Sequence, residues 1–257
     1  MKNLEAQTAV ISGGLGDIGR AIAFELAERG AAIALCDLAA PSDADRILTD
    51  LRERGVRACY GRVDVTDAAA TATWVAAVEK ELGPPTLIVP NAAQVTRASC
   101  QSITPAQWER ELNVNLNGAF YLAQAAAQRL VERKLPGRIV FIGSWAAHRA
   151  HPYIPAYSVA KAGLRMLCQC MAVELAPAGI RVNEVAPGIV DAGLSGQALK
   201  RDPNLRAALQ AMVPLQRLVE PRDVAQAVAF LCSAESHQVT GTALVLDGGL
   251  SHLPPQP

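Results

Sequence analysis

The amino-acid sequence predicts an α/β fold, in which one doubly wound parallel sheet carries helices on both faces within a single domain. Short apolar runs alternate with helical stretches along the chain, as expected when right-handed crossovers connect parallel strands. Hydrophobic residues form 51% of the 257 residues, enough for a sheet that is buried on both faces. We expect the domain to cover residues 1–252 and the proline-rich segment 253–257 to form a flexible tail.

The strands are predicted from apolar runs that are too short for helices and that end at glycine, proline or polar residues. Seven such runs lie at residues 8–12, 32–36, 56–60, 87–89, 139–142, 182–185 and 243–246. The third of them is the weakest. The helices that the sequence predicts most clearly lie at residues 20–28, 105–133 and 156–175. Because ligands of such sheets bind at the carboxyl ends of the strands, we expect a functional site at that edge.

A glycine-rich turn follows the first predicted strand and opens the first predicted helix. Gly14, Gly16 and Gly19 have the G-x-G-x-x-G spacing, in the strand-to-helix context that this motif requires. Glycines let the backbone approach a pyrophosphate, and a helix N-terminus supplies free N–H donors and a favourable dipole. The turn therefore indicates a dinucleotide site, although glycine-rich turns without a ligand are common.

Asp37 stands at the end of the second predicted strand, where a carboxylate can accept hydrogen bonds from both hydroxyls of an adenosine ribose. The same charge repels a 2′-phosphate, and residues 12–16 contain no lysine or arginine that would bind one. NAD is therefore predicted as the cofactor in preference to NADP. The alternative interpretation is a solvated aspartate at a strand end.

Tyr157 and Lys161 lie one helical turn apart in the helix predicted over residues 156–175, so their side chains share a face. An ammonium beside a phenol favours the phenolate, and a tyrosine whose pKa falls below its usual value of about 10 can act as a general base. A tyrosine and a lysine at this spacing also occur by chance in many helices. The pair gains weight because Ser144 and the glycine turn accompany it.

With these residues assembled, the chain resembles the short-chain dehydrogenase/reductase family over nearly its whole length. The segment from Ser12 to Gly19 is similar to the family's T-G-x-x-x-G-I-G cofactor turn, and Ser144, Tyr157 and Lys161 have its catalytic spacing. The resemblance implies a Rossmann-type fold. It also implies cofactor contacts from Gly13, Leu15, Asp17, Ile18, Asp37, Asp64, Val65, Asn91, Tyr157, Lys161, Pro187, Gly188 and Val190.

The resemblance further implies the chemistry, an NAD-dependent interconversion of a secondary alcohol and its ketone by hydride transfer. Tyr157 takes or returns the hydroxyl proton, and Ser144 hydrogen-bonds the reacting oxygen. Lys161 lowers the pKa of the tyrosine and contacts the nicotinamide ribose. Asn115, which matches the asparagine of the family's active site, holds a water that links Lys161 to solvent.

Three positions depart from the family pattern. Asp17 replaces the middle glycine of the turn, and we expect its carboxylate to point away from the pyrophosphate, favourably oriented at the helix start. Ala93 replaces a glycine, and Ala192 replaces a threonine that binds the nicotinamide carboxamide. Asp17 and Ala192 bear on cofactor affinity and not on the type of reaction.

Charge and hydropathy narrow the choice of partners and location. Lysine plus arginine and aspartate plus glutamate both number 24, so no net field recruits nucleic acid or an anionic membrane. The polar start of the chain is unlike a signal peptide, and no apolar run approaches the ~18 residues of a membrane span. We expect a cytoplasmic protein with six reduced cysteines and no metal. The apolar faces of helices 105–133 and 156–175, with the family resemblance, predict a homotetramer or homodimer.

The substrate is a small alcohol or ketone in this interpretation, and its pocket is predicted at residues 94–97, 145–153 and 189–214. Aromatic surface with polar tips, which suits a sugar, a polyol or a ring ketone, comes from Trp145, His148, His151 and Tyr153. Two alternatives stay open. One is a 3-oxoacyl thioester (acyl carrier protein) reductase, which usually uses NADPH and a basic docking patch. The other is a dinucleotide-binding regulatory protein without turnover.

Overall fold

The computed structural model describes residues 3–193, 196 and 201–253. Its strands are β1 Thr8–Ser12, β2 Ala32–Asp37, β3 Ala58–Arg62, β4 Pro85–Val89, β5 Gly137–Ile142, β6 Ile180–Pro187 and β7 Ala243–Leu246. They form one seven-stranded sheet in the order β3-β2-β1-β4-β5-β6-β7, and every pairing is parallel. The predicted fold class is therefore confirmed. Residues 254–257 of the predicted tail lie outside the described residues, and the domain limit at residue 252 stays a prediction.

The helices that accompany the sheet are α1 Asp17–Glu28, α2 Pro41–Glu53, α3 Ala68–Leu82, α4 Pro105–Leu112, α5 Gly118–Arg133, α6 Pro155–Leu175, α7 Pro203–Met212 and α8 Pro221–Cys232. Proline is tolerated in a first helical turn, because its missing N–H leaves no hydrogen bond unmade there. A first-turn proline begins five of these helices, at Pro41, Pro105, Pro155, Pro203 and Pro221. None of the described helices is long and apolar enough to cross a membrane.

One predicted strand is shifted along the chain and one predicted helix is interrupted, whereas β4, β5, β6 and α1 begin two or three residues before their predicted starts. The third strand lies at Ala58–Arg62 and not at 56–60, because its pairing with β2 continues to the end of that strand, where Asp37 pairs with Arg62. The helix predicted over residues 105–133 is interrupted by a π-helical turn, Asn113–Asn117, which joins α4 to α5. Such a turn accommodates one extra residue and is frequent at functional sites.

The two faces of the sheet bury separate hydrophobic cores. Successive residues of β1 alternate between them: Ile11 packs in the core that contains Ile22 of α1, and Val10 packs in the core that contains Leu122 and Leu164 of α5 and α6. The order of the strands reverses beside β1, since the chain runs outward to β3 and then returns to β4 on the other side. A crevice is expected at this switch point, at the carboxyl ends of the strands.

Candidate active site

A cavity of about 450 Å³ lies at the carboxyl ends of the central strands. Its wall brings together predicted residues from the whole length of the chain: Gly13, Asp17, Ile18, Asp37, Asp64, Val65, Asn91, Ser144, Tyr157, Lys161, Pro187, Gly188 and Val190. Two predicted site residues, Leu15 and Asn115, do not line it but are hydrogen-bonded to Asp37 and Gln94, which do. The wall also includes Leu38, Val63 and Val114, apolar residues that no motif pointed to.

The glycine turn between β1 and α1 is compact because it has no side chains to accommodate. A Cβ at Gly19 would lie 2.3 Å from the carbonyl oxygen of Gly13, and Gly13 itself has a φ of +61°. Asn91 holds the turn from the neighbouring strand, donating from Nδ2 to the carbonyl oxygens of Ser12 at 2.9 Å and Gly13 at 3.0 Å. Helix α1 begins directly after the turn, at Asp17. This close-packed backbone with a helix N-terminus beside it fits a pyrophosphate.

Asp37 closes one end of the cavity with a fixed carboxylate. Its Oδ2 accepts a hydrogen bond from the Leu15 N–H at 3.2 Å, and its Oδ1 accepts one from the Leu38 N–H at 2.8 Å. Each carboxylate oxygen can accept a further bond, so the group keeps acceptor capacity on the cavity side. Leu15 thus contributes by orienting Asp37, and the pair fits the hydroxyls of a ribose.

Asp17 lies in the cavity wall and is exposed, and its Oδ2 accepts a hydrogen bond from the Gly193 N–H at 2.8 Å. The expected orientation of its carboxylate away from the pyrophosphate stays a prediction. Gly193 belongs to the segment after β6, and its φ of +58° is one that glycine adopts without strain. The replacement of a glycine by Asp17 therefore ties the start of α1 to that segment. The orientation at the helix start is favourable, since a carboxylate there meets the positive end of the helix dipole.

Ser144, Tyr157 and Lys161 meet at the other end of the cavity, where β5 ends and α6 begins. Ser144 follows β5, and its Oγ accepts a hydrogen bond from the Ala146 N–H at 3.1 Å. Lys161 is buried, donates from Nζ to the Ile142 carbonyl oxygen at 2.8 Å and places Nζ 5.5 Å from the centre of the Tyr157 ring. The predicted sharing of one helix face by tyrosine and lysine is thus observed.

Burial shifts the pKa values of Tyr157 and Lys161 in opposite directions. Burial raises the pKa of Tyr157 to about 12, an effect that the hydrogen bond with Ser144 opposes and the charge of Glu111 reinforces. Burial also lowers the pKa of Lys161 to about 8, and the negative charge of Glu184 opposes that shift. Burial is thus the largest influence on the Tyr157 pKa in the protein alone, and the lowering expected from Lys161 stays a prediction for the enzyme with its nicotinamide bound.

Asn115 lies in the π-helical turn, fully buried behind the cavity. Its Nδ2 donates to the carbonyl oxygens of Gln94 at 2.7 Å and Glu111 at 2.9 Å, and its Oδ1 accepts from the Gln94 N–H at 3.3 Å. Both amide hydrogens are thus used by the backbone, and one acceptor position remains at Oδ1. The side chain fixes the loop after β4, and the water expected at Asn115 stays a prediction.

The predicted substrate pocket is observed only in part. Gln94, Ala192 and Gly193 line the cavity, whereas residues 194, 195 and 197–200 lie outside the described residues. In the segment 145–153, the rings of Trp145 and His151 stack edge to face with centres 4.4 Å apart. Burial, with a smaller contribution from the charge of Arg149, lowers the pKa of His151 and so favours the neutral imidazole.

Two buried glutamates near the site escaped the sequence prediction. Glu111 accepts a hydrogen bond from the Thr96 N–H, and Glu184 lies in the middle of β6 with no exposed surface. The sequence does indicate Glu184, since an acidic residue inside an apolar strand run requires an explanation. It does not distinguish Glu111 from other surface residues, because helix α4 is polar on most of its surface.

The cavity combines a compact glycine turn, which fits a dinucleotide, with a serine, a tyrosine and a buried lysine at its other end. This combination defines a nicotinamide-dependent oxidoreductase. Similar proteins of known activity support this class. A family model described as enoyl-(acyl carrier protein) reductase matches residues 14–251. L-rhamnose 1-dehydrogenase (NAD(P)(+)) of Sphingomonas sp. (strain SKA58) is 34% identical, over 97% of this chain and 98% of its own.

Solved structures share the fold over the whole chain. A gluconate 5-dehydrogenase from Burkholderia cenocepacia J2315, in complex with NADP and tartrate, has a TM-score of 0.92 at 32% identity, covering 98% of both chains. An NAD+-bound xylitol dehydrogenase has a TM-score of 0.90 at 30% identity, covering 96% of this chain and 100% of its own. The chain belongs to the short-chain dehydrogenase/reductase family. It is an NAD(P)-dependent enzyme that acts on CH–OH groups and interconverts a secondary alcohol and its ketone.

Proposed function

We propose that the enzyme prefers NAD and oxidises a secondary hydroxyl of a sugar, a polyol or a similar hydroxy compound. The observation that carries this proposal is the Asp37 carboxylate, which the N–H groups of Leu15 and Leu38 hold at one end of the cavity while Tyr157 and Lys161 lie at the other. A cofactor that spans these two ends presents its adenosine ribose to Asp37. The relatives support the substrate class, since one is named for rhamnose and others for gluconate and xylitol.

The residues of the chain have distinct tasks in this reaction. The bound dinucleotide supplies the hydride acceptor for oxidation or the hydride donor for reduction. Tyr157 accepts the hydroxyl proton at its phenolic oxygen during oxidation and returns a proton to the carbonyl oxygen during reduction. Ser144 donates a hydrogen bond to the same substrate oxygen. Lys161, fixed by the Ile142 carbonyl, stabilises the phenolate and contacts the nicotinamide ribose.

The contacts along the cofactor are assigned to the residues of the cavity wall. We assign Gly13, Asp17 and Ile18 to the pyrophosphate, and Asp64 and Val65 to the adenine, because all five line the cavity. At the nicotinamide end, the corresponding residues are Asn91, Pro187, Gly188 and Val190. Asn115 contributes indirectly, because it fixes the loop that carries Gln94.

The preference for NAD follows from charge. A 2′-phosphate would meet the Asp37 carboxylate, and the surrounding turn offers no cation, as residues 12–16 lack lysine and arginine. We expect catalytic efficiency with NAD to exceed that with NADP at least tenfold, which requires about 1.4 kcal/mol of discrimination. Asp37→Ala should narrow this ratio, because it removes both the ribose contacts and the repulsion.

The test is a comparison of kcat/KM for NAD and NADP in the wild type and in Asp37→Ala, after a panel of sugars, polyols and hydroxy acids has identified a substrate by NADH absorbance. Asp45→Ala is the matched control, since this exposed aspartate of α2 lies outside the cavity wall. Equal efficiency with both cofactors in the wild type would refute the proposed preference.

A second candidate is a 3-oxoacyl thioester reductase, which interconverts the ketone and the alcohol of an acyl thioester. A relative from Rattus norvegicus that is named (3R)-3-hydroxyacyl-CoA dehydrogenase supports it, at 35% identity over 96% of this chain. The same substrate panel decides between the two, provided that it contains a short 3-oxoacyl thioester. Reduction of that thioester with NADPH, at higher efficiency than oxidation of any sugar or polyol with NAD, would favour the second candidate.

The proposed enzyme is a cytoplasmic homotetramer or homodimer that assembles through α5 and α6. On α6, Val159, Met166 and Val173 follow one another every two turns with exposures of 50%, 58% and 80%. An apolar stripe of this kind on a helix supports an interface between copies of the chain.

A further inference from the structure

Glu184 is a buried acidic side chain for which the mechanism above has no use. It lies in β6 with an exposed fraction of 0%, and neither of its carboxylate oxygens has a hydrogen-bond partner among the described residues. Buried carboxylates are expensive unless they are paired, because burial removes their hydration. A carboxylate in this situation therefore needs a charge nearby that compensates for the loss of water.

The surroundings of Glu184 belong to the active site. A Cβ at Gly143 would lie 1.7 Å from Glu184 Oε1, so the carboxylate packs against the backbone of the residue before Ser144. Its strand neighbour in β5 is Phe141, and the next residue, Ile142, provides the carbonyl that binds Lys161. The carboxylate is thus in contact with the backbone that presents the serine and lies close to the backbone that holds the lysine.

Two cations and one thiol of α6 interact electrostatically with this carboxylate. Lys161 and Arg165 favour its ionised form, and its charge adds to the effect of burial in raising the pKa of the Cys168 thiol. Arg165 is already hydrogen-bonded to His148 Nδ1 at 2.8 Å. Lys161 is therefore the cation whose charge most needs this carboxylate, since its Nζ is buried and its hydrogen bond goes to a neutral carbonyl.

The pKa values of the two groups agree with such a coupling. Burial raises the pKa of Glu184 to about 7, and Lys161 is the largest influence that opposes this shift. Burial lowers the pKa of Lys161 to about 8, and Glu184 is the influence that opposes that shift. Each charge thus stabilises the other across a distance longer than that of a direct ion pair, because the surroundings are poor in water.

We propose that Glu184 is a positioning residue of the active site, whose buried carboxylate is the counter-charge that keeps the Lys161 ammonium in place beside Tyr157. The proposal rests on the role of Lys161 in the proposed function. Alcohol oxidation needs a phenolate and an ammonium at the same time, and alkaline pH favours the first but removes the second. Glu184 extends the pH range in which both are present, because its charge holds the proton on Lys161.

The experiment measures the titration of Lys161 in the protein without cofactor or substrate. The chain contains only five lysines, so a protein labelled with 13C at lysine Cε gives few signals, and Lys161→Met identifies the one that belongs to Lys161. In Glu184→Gln the titration midpoint of Lys161 should fall by at least one pH unit, about tenfold in its acid constant. Glu184→Met, which also removes the charge, should give the same shift.

Glu79→Gln is the matched control, since Glu79 is a buried glutamate of α3 that pairs with Arg129 and Arg133 away from the cavity. It should leave the Lys161 midpoint unchanged. An unchanged midpoint in a folded Glu184→Gln or Glu184→Met protein, as judged by circular dichroism, would overturn the proposal. A purely structural role for Glu184 predicts that outcome, with altered thermal stability alone.

The outcome of this titration is independent of the proposed function, because the measurement requires no catalytic turnover. If a substrate is known, the pH at which alcohol oxidation declines at the alkaline end should fall in Glu184→Gln by the same amount as the Lys161 midpoint. If the midpoint shifts but no alcohol or ketone reacts, the proposed function fails and the coupling between Glu184 and Lys161 remains.

Discussion

At the scale of single residues, the reaction depends on the phenolic oxygen of Tyr157. Tyr157→Phe keeps the ring and removes the proton acceptor, so turnover should fall at least ~10²-fold while NADH binding stays nearly unchanged. Tyr121→Phe on α5 is the matched control and should retain activity. Initial rates and a fluorescence titration with NADH measure both quantities. Retention of most activity by Tyr157→Phe would mean that another group transfers the proton.

The direction of the pH dependence follows from the same residue. Burial raises the pKa of Tyr157 to about 12 in the protein alone, so the phenol is mostly protonated at neutral pH and the phenolate fraction grows as the pH rises. We expect the rate of alcohol oxidation to rise with pH until Lys161 begins to lose its proton. Rates measured from pH 6 to pH 11 check this, and a rate that falls with rising pH from neutrality would contradict Tyr157 as the base.

The sequence predicted residues whose role is encoded in local spacing. Gly14, Gly16 and Gly19 could be identified because a turn between a strand and a helix constrains neighbouring positions. The bond between Asp17 and Gly193 could not, because it joins segments 176 residues apart in the chain. The upward shift of the Tyr157 pKa also escaped prediction, since it arises from burial by several elements and not from the nearest charge.

At the scale of elements, the junction of β1 and α1 depends on the absence of one side chain. A Cβ at Gly19 would lie 2.3 Å from the Gly13 carbonyl oxygen and 2.9 Å from the Gly14 Cα, both of which are backbone atoms. We expect Gly19→Ala to lower the free energy of unfolding by about 1–3 kcal/mol and to weaken NADH binding. Gly16→Ala is the matched control, because its Cβ would meet only the Gly13 carbonyl oxygen, at 3.4 Å.

Urea denaturation of both variants measures this difference. Equal stability of Gly19→Ala and Gly16→Ala would show that the turn can relax around the added methyl group. The contrast is informative because the two glycines belong to the same motif and differ mainly in how closely the backbone packs against them.

The bounds of strands and helices could be predicted from the sequence where hydrophobic periodicity is strong. They could not be predicted where the pairing between strands determines them. The first and last strands, Thr8–Ser12 and Ala243–Leu246, were located at their observed bounds because apolar runs end abruptly there. The position of β3 depends instead on its register with β2. The π-helical turn Asn113–Asn117 has no periodic signal, since it arises from the contacts of Asn115 with the loop after β4.

At the scale of the whole molecule, the exposed stripe of α6 predicts assembly. Replacement of both Met166 and Val173 by glutamate should place charges in the interface and shift the protein towards the 27.1 kDa monomer in sedimentation velocity at micromolar concentration. Leu215→Glu is the matched control, since Leu215 is 69% exposed and does not belong to α6. A wild-type protein that sediments only as a monomer would refute the predicted assembly.

The close packing of Gly143 against Glu184 has an evolutionary consequence. Since a Cβ at residue 143 would lie 1.7 Å from Glu184 Oε1 and 2.5 Å from its Cδ, any side chain there excludes a glutamate in the same position. We expect aligned relatives to show covariation between the two positions, with an acidic residue in this strand only where glycine precedes the serine. Lineages that acquired a larger residue before the serine must have lost the acid first, or together with it.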